Sequence, residues 1–189
     1  MTTYVALLRG INVGGHNKVA MADLRRVVES LGHTNVATYV NSGNVVLDTD
    51  LDDARLDDGA ALASQLEAAI ERELDATPRV VVRSDAELGE VVRANPYADE
   101  PDPKKVHVVF LPEPPDEAAL RAAKDRAREL ASKGSAERLE IVGRDVYLHT
   151  PAGLGRSELA GRVERWVGAG TARNWSTVTR LHAMCRERG

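Results

Sequence analysis

The chain has 189 residues and a single cysteine, Cys185. That excludes an intrachain disulfide and any cysteine-rich zinc or iron–sulfur site. Aromatic residues are scarce, with one Phe, two Trp and four Tyr. A basic excess is also missing: the formal net charge is -4 and the pI about 5.8. No global positive field draws the whole protein onto nucleic acid. There is no run of ~18 apolar residues to form a transmembrane helix. The opening MTTYVALLRG has neither the basic region nor the apolar stretch of a signal peptide. The expectation is a cytoplasmic protein with no membrane partner.

The residues present are 43% hydrophobic and 29% charged, enough for a packed core and incompatible with wholesale disorder. The length lies between one domain of ~100–150 residues and two, so one large domain or two small ones in contact are the options. Thr3–Arg9 is an apolar run ended by Gly10, the pattern of a buried strand. Met21, Leu24, Val27, Val28 and Leu31 recur at helical spacing before Gly32. Asn35–Val40 and Asn44–Asp48 flank Asn41-Ser42-Gly43 and read as a hairpin. A helix over 56–74 and a strand over 79–83 complete the order β-α-β-β-α-β, the ferredoxin-like signature. Residues 84–94 read as a connecting helix and 95–103 as a proline-containing linker. The second half then reads as a strand at 105–111, a helix at 115–131, a hairpin over 138–149, and helices at 157–167 and 174–186. The spacing predicts an α+β fold of two ferredoxin-like halves packed against each other: residues 1–94, a linker at 95–103, and residues 104–189. The order of elements repeats, with no visible likeness between the residues of the two halves.

Four segments carry candidate chemistry. Arg9 to Lys18 leaves a strand and enters a helix. Gly10 and Gly15 have the spacing of two P-loop glycines, but His16 stands where the lysine belongs and Lys18 comes two residues later. The physical logic outlives the motif, because glycine-rich turns aim backbone N–H groups at an anion and a helix start adds positive dipole. Arg9, Asn12, Gly14, Gly15 and Lys18 are the binding candidates, and His16 a possible acid–base group. The alternative is an ordinary glycine-rich turn. Asn41, Ser42 and Asn44 offer hydrogen bonds from the hairpin, although such residues are also plain turn formers. Pro151 to Leu159, with Gly153 and Gly155, places Arg156 beside a serine-capped helix start, again the composition of an anion site, although such glycines also serve a plain strand-to-helix turn. Arg173 and Asn174 stand before Trp175, which heads a stripe with Val178, Leu181 and Cys185. Asp48-x-Asp50-x-Asp52 fails as a calcium loop for want of Gly at position six and Glu at position twelve. His182-x-x-Cys185 has no second ligand pair, so neither a metal nor a cofactor is expected.

The blocks YVALLRGINVGGHNKVAMADLR, TYVNSGNVVL, NPY, KVHVVFL, VYLHTPAGLGRSEL and TARNWSTVTRL together resemble a widespread bacterial family, domain of unknown function sixteen ninety-seven. The resemblance runs from about residue 3 to 184. It implies an α+β fold of two ferredoxin-like halves and no established reaction. Glu158 departs from it, standing where a basic residue is usual.

The candidates share one chemistry, cationic and amide donors on glycine-rich loops, which suits phosphates, carboxylates or base edges. The first expectation is binding of a phosphate-bearing or other anionic ligand, a nucleotide or single-stranded nucleic acid. The second is an enzyme acting on a small anionic substrate. The third is a non-catalytic interaction protein whose signature loops serve packing between the halves. Tyr4, Tyr39, Phe110 and Tyr147 lie in apolar strand runs, where core packing outweighs base stacking. The oligomeric state is not legible.

Overall fold

The computed structural model describes residues 1–13, 17–50, 59–168 and 170–188. In the first half, β1 (Thr2–Arg9), α1 (Met21–Ser30), β2 (Thr34–Tyr39), β3 (Asn44–Thr49), α2 (Ala60–Leu74) and β4 (Arg79–Ser84) follow in turn, then α3 (Asp85–Arg93). The second half comprises β5 (Val106–Phe110), α4 (Glu117–Ser132), β6 (Arg138–Val142), β7 (Asp145–His149), α5 (Ala160–Val167), β8 (Thr171–Asn174) and α6 (Trp175–Arg186). Each half forms a four-stranded antiparallel sheet, in the orders β2-β3-β1-β4 and β6-β7-β5-β8. These are two similar α+β halves with the ferredoxin-like order.

Apolar runs without alternation became the central strands because both of their faces are covered. On β1, Tyr4, Ala6 and Leu8 join the core made with α1 and α2, through Leu24, Val27, Leu66 and Ile70. Val5 and Leu7, on the opposite face, are equally buried. In the second half, Val109, Val146 and Leu148 meet Ala123, Leu130, Leu159 and Val163. Tyr4, Phe110 and Tyr147 are all buried, so these strand aromatics are core residues, and Tyr147 Oη donates to the carbonyl of Val91 at 2.9 Å.

The chain divides into two compact units: Met1–Gly89 with Leu181–Gly189, and Glu90–Arg180. The end of α3 thus belongs to the second unit and the end of α6 to the first, a division that order of elements alone does not reveal. Two elements differ from the sequence reading. β8 lies where a loop was expected, because its residues, TARN, contain no apolar run. α5 starts at Ala160 rather than 157, after a single 3₁₀ turn at Leu154–Arg156. The expected start of α2 at 56 lies outside the described residues.

Candidate functional site

In the first unit, asparagines shape the loop after β1. Asn12 and Asn17 both take positive φ, 55° and 48°, which asparagine tolerates better than most residues. Asn12 N donates to the Asn17 carbonyl at 3.0 Å, and Asn17 Nδ2 donates to that of Gly10 at 2.8 Å. The Asn12 side chain then staples the loop to its neighbours. Its Nδ2 donates to the carbonyls of Val19 and Asn41, both at 2.9 Å, and its Oδ1 accepts from Val19 N at 2.9 Å. The hairpin fits tightly beneath: a Cβ on Gly43 would stand 2.7 Å from Ile11 Cδ1 and 2.8 Å from Leu8 Cβ. The first two signature blocks therefore form one packed unit.

This arrangement leaves a cleft of about 460 Å³ lined by Asn12, Lys18, Val19, Ala20, Met21 and Asn41. Ala20 at the N-cap of α1 supplies no side-chain hydrogen bond, so its first-turn N–H groups have no side-chain cap from that position, and Ala20 and Met21 line the cleft. Lys18 is exposed at its rim and makes no ion pair among the described residues. Gly14, Gly15 and His16 lie outside the described residues. Arg9 does not line the cleft; it shares the β1 face of Val5 and Leu7 and sits in register with Arg79.

The remaining candidates fall elsewhere. Asn44 is fully buried, and its Nδ2 donates to the Tyr39 carbonyl at 2.8 Å and to Ser42 Oγ at 3.2 Å. It shapes the hairpin and presents no side chain to a ligand. The third block corrects the expectation of an open anion site. The start of α5 already holds an anion, the carboxylate of Glu137. Its Oε2 accepts from Ser157 Oγ at 2.9 Å and Leu159 N at 3.1 Å, and its Oε1 from Glu158 N at 3.2 Å. Arg156 is exposed beside this closed site, and Glu158 instead pairs with Arg126 at 2.8 Å.

In the fourth block Arg173 is 8% exposed, with Nη1 donating to Thr171 Oγ1 and the Ala172 carbonyl, each at 2.8 Å. Burial pulls its guanidinium down to about 10, still cationic at neutral pH. Asn174 Oδ1 caps α6, accepting from Thr177 N at 2.8 Å. Arg173 and Asn174 thus maintain the fold from within. Arg83 and Ser84 do the same in the first unit: Arg83 is 1% exposed, and Ser84 Oγ accepts from Glu87 N at 3.2 Å to cap α3. A buried arginine followed by a helix cap closes the fourth strand of each sheet, a residue-level repeat absent from the sequence reading.

One polar cluster of the second unit escaped the sequence entirely. His149 Nε2 lies 2.7 Å from Glu100 Oε2, and its Nδ1 lies 3.5 Å from Arg138 Nη2. A guanidinium only donates, so Nδ1 accepts and Nε2–H donates to Glu100. The hydrogen bond from His149, with a second from Asp102 N, holds the Glu100 carboxyl below its usual range. Arg138 also stacks over the Tyr97 ring at 5.2 Å. The NPY block was a clue to Tyr97, but Glu100 and His149 are 49 residues apart and nothing local joins them. Among the described residues, no three His, Cys, Asp or Glu side chains gather as a metal would require, and no helix is long and apolar enough to cross a membrane.

These features define a two-unit α+β protein whose glycine- and asparagine-rich loops sit at strand ends. The model of the family described as protein of unknown function (DUF1697) matches residues 1–147, and the chain belongs to that family. Among solved structures it is similar to a conserved bacterial protein from Streptococcus pneumoniae. The two share 22% identity and a TM-score of 0.65, over 97% of this chain and 98% of that one. Comparison with curated proteins finds no match.

Proposed function

We propose that the protein binds a small anionic ligand, a nucleotide or other phosphate-bearing molecule of the cytoplasm, in the cleft beside the α1 N-terminus. The observation that carries this reading is a cleft lined by Lys18 and by Ala20 and Met21, the start of a helix whose N-cap residue makes no side-chain cap. Backbone N–H groups there complement negative charge, and a lysine adds a point charge suited to phosphate. Asn12 fixes the loop, and Asn41, bonded to it, also lines the cleft. The buried strand aromatics and the net charge of -4 favour a small ligand over an extended single strand of nucleic acid.

A second reading, a non-catalytic interaction protein, draws on Asn44, Arg173 and Asn174, whose hydrogen bonds go to their own chain. An enzyme acting on an anionic substrate would add turnover, with His16 as the acid–base group. Thermal-shift titration with inorganic phosphate, ATP and a decathymidylate separates the readings. A ligand at about 100 times its Kd stabilises by ~2.7 kcal/mol. Lys18→Ala should weaken ATP or phosphate binding about tenfold, as loss of a charge-assisted contact does. Unchanged affinity in that variant removes the site from this cleft.

A further inference from the structure

The edge strand β6 borders a second cleft, of about 510 Å³, within the Glu90–Arg180 unit. Its size suits a small molecule. One wall is a single face of α4, where Lys124, Ala127, Arg128 and Ala131 recur at helical spacing. The other is formed by Arg138, Glu140 and Tyr97.

The charges of this cleft are unevenly committed. Lys124 and Arg138 make no ion pair among the described residues. Arg128 has only an exposed partner on its own helix, Asp125 at 3.1 Å. Of the two carboxylates, Glu137 is turned to the start of α5, where its oxygens accept from Ser157 Oγ and from Glu158 N and Leu159 N. Three cations thus stand against two carboxylates, and only Glu140 is uncommitted to a helix start.

Arg138 is also held from behind. His149 accepts one of its N–H groups and is itself anchored by Glu100, which lies 3.8 Å from Lys105. The Tyr97 ring fixes the guanidinium plane. This is the arrangement that preorganises a bidentate donor, its remaining N–H groups free for a planar anion. Tyr97 is 8% exposed and lines the cleft, yet its hydroxyl has no protein partner among the described residues. Burial, aided by Glu140, pushes that phenol well above its usual range, so it stays a hydrogen-bond donor at neutral pH. Ala127, Ala131, Leu139 and Pro96 give the cleft an apolar surface with room for a ring.

We propose that this cleft is a binding site for a small organic anion, a carboxylate or phosphate carried on a flat apolar body. Arg138 and Lys124 take the charge, Tyr97 donates to an anion oxygen, and the alanine face of α4 covers the ring.

The test is amide NMR of the full ¹⁵N-labelled chain titrated with phenyl phosphate, benzoate and neutral benzamide. The expected result is that the two anions shift amides of residues 96–97, 124–131 and 137–140, while benzamide does not. Arg138→Gln should weaken binding about tenfold and Lys124→Gln roughly threefold, as losses of one charge-assisted contact and one exposed charge. Both side chains are exposed, so neither variant threatens folding. The proposal is overturned if benzamide binds as tightly as benzoate or if Arg138→Gln leaves the affinity unchanged. It is equally overturned if shifts appear only at residues 12, 18–21 and 41, which would support the first cleft alone.

Discussion

At the scale of single residues, the hairpin glycine sets how closely the β2–β3 turn packs on Leu8 and Ile11. Gly43 has φ +79°, and a Cβ there would stand 2.7 Å from Ile11 Cδ1 and 2.8 Å from Leu8 Cβ. Both neighbours are core side chains, 2% and 1% exposed, so neither yields without opening the core. Gly43→Ala therefore combines left-handed strain of about 1–2 kcal/mol with overpacking of similar size. Urea denaturation should show a loss of about 2–4 kcal/mol, and a loss under ~1 kcal/mol would mean the hairpin shifts freely. The sequence marked Gly43 only as a turn residue, because its partner Ile11 lies on another element. It likewise offered Asn12, Asn44, Arg173 and Asn174 as ligand donors, since residue type does not say whether a donor faces solvent or its own backbone.

At the scale of elements, legibility followed local pattern. The unbroken apolar runs of β1, β4 and β5 and the periodic stripe of α1 announce themselves, because burial on two faces or on one stripe writes directly into composition. β8 does not: it is four residues long and two of them are Arg and Asn. The start of α5 failed for a different reason, since its anion comes from Glu137, 20 residues from Ser157. That closure makes a specific expectation. Glu137→Ala should destabilise the protein by about 1–2 kcal/mol, through lost hydrogen bonds and lost charge at a helix N-terminus. It also empties an anion site whose Ser157 hydroxyl and backbone donors remain. Added sulfate should then raise the melting temperature of the variant more than that of the native chain. Equal responses would show that the α5 start binds no free anion once Glu137 is gone, the Ser157 cap, whose Oγ accepts from Ala160 N at 3.0 Å, sufficing there.

At the scale of the whole molecule, His33 in the first unit and His107 in the second are buried and resist protonation. Burial lowers the pKa of His33 in the first unit, partly offset by a hydrogen bond with Gln65, and burial alone lowers that of His107 in the second. Such a group is neutral in the folded state, whereas an unfolded chain takes up its proton near pH ~6.5. The contribution of both histidines is thus complete above that pH and is lost as the pH falls through their folded values. The first unit has a further acid-sensitive group. Burial pushes the Asp48 carboxyl up, but hydrogen bonds from Asn35 and Thr3 and the charge of Arg188 pull it below its usual value. Its contribution persists down to pH ~4 and disappears below. Urea unfolding followed from pH 8 to pH 3 should therefore show stability falling first below ~6.5 in both units, then again below ~4 where Asp48 resides. His33→Gln and His107→Gln should each flatten the upper step, and the double variant should nearly abolish it. Asp48→Asn should leave the upper step in place and remove part of the lower one. A wild-type stability constant between pH 7 and pH 5 would mean that the two histidines accept protons without disturbing the cores around them.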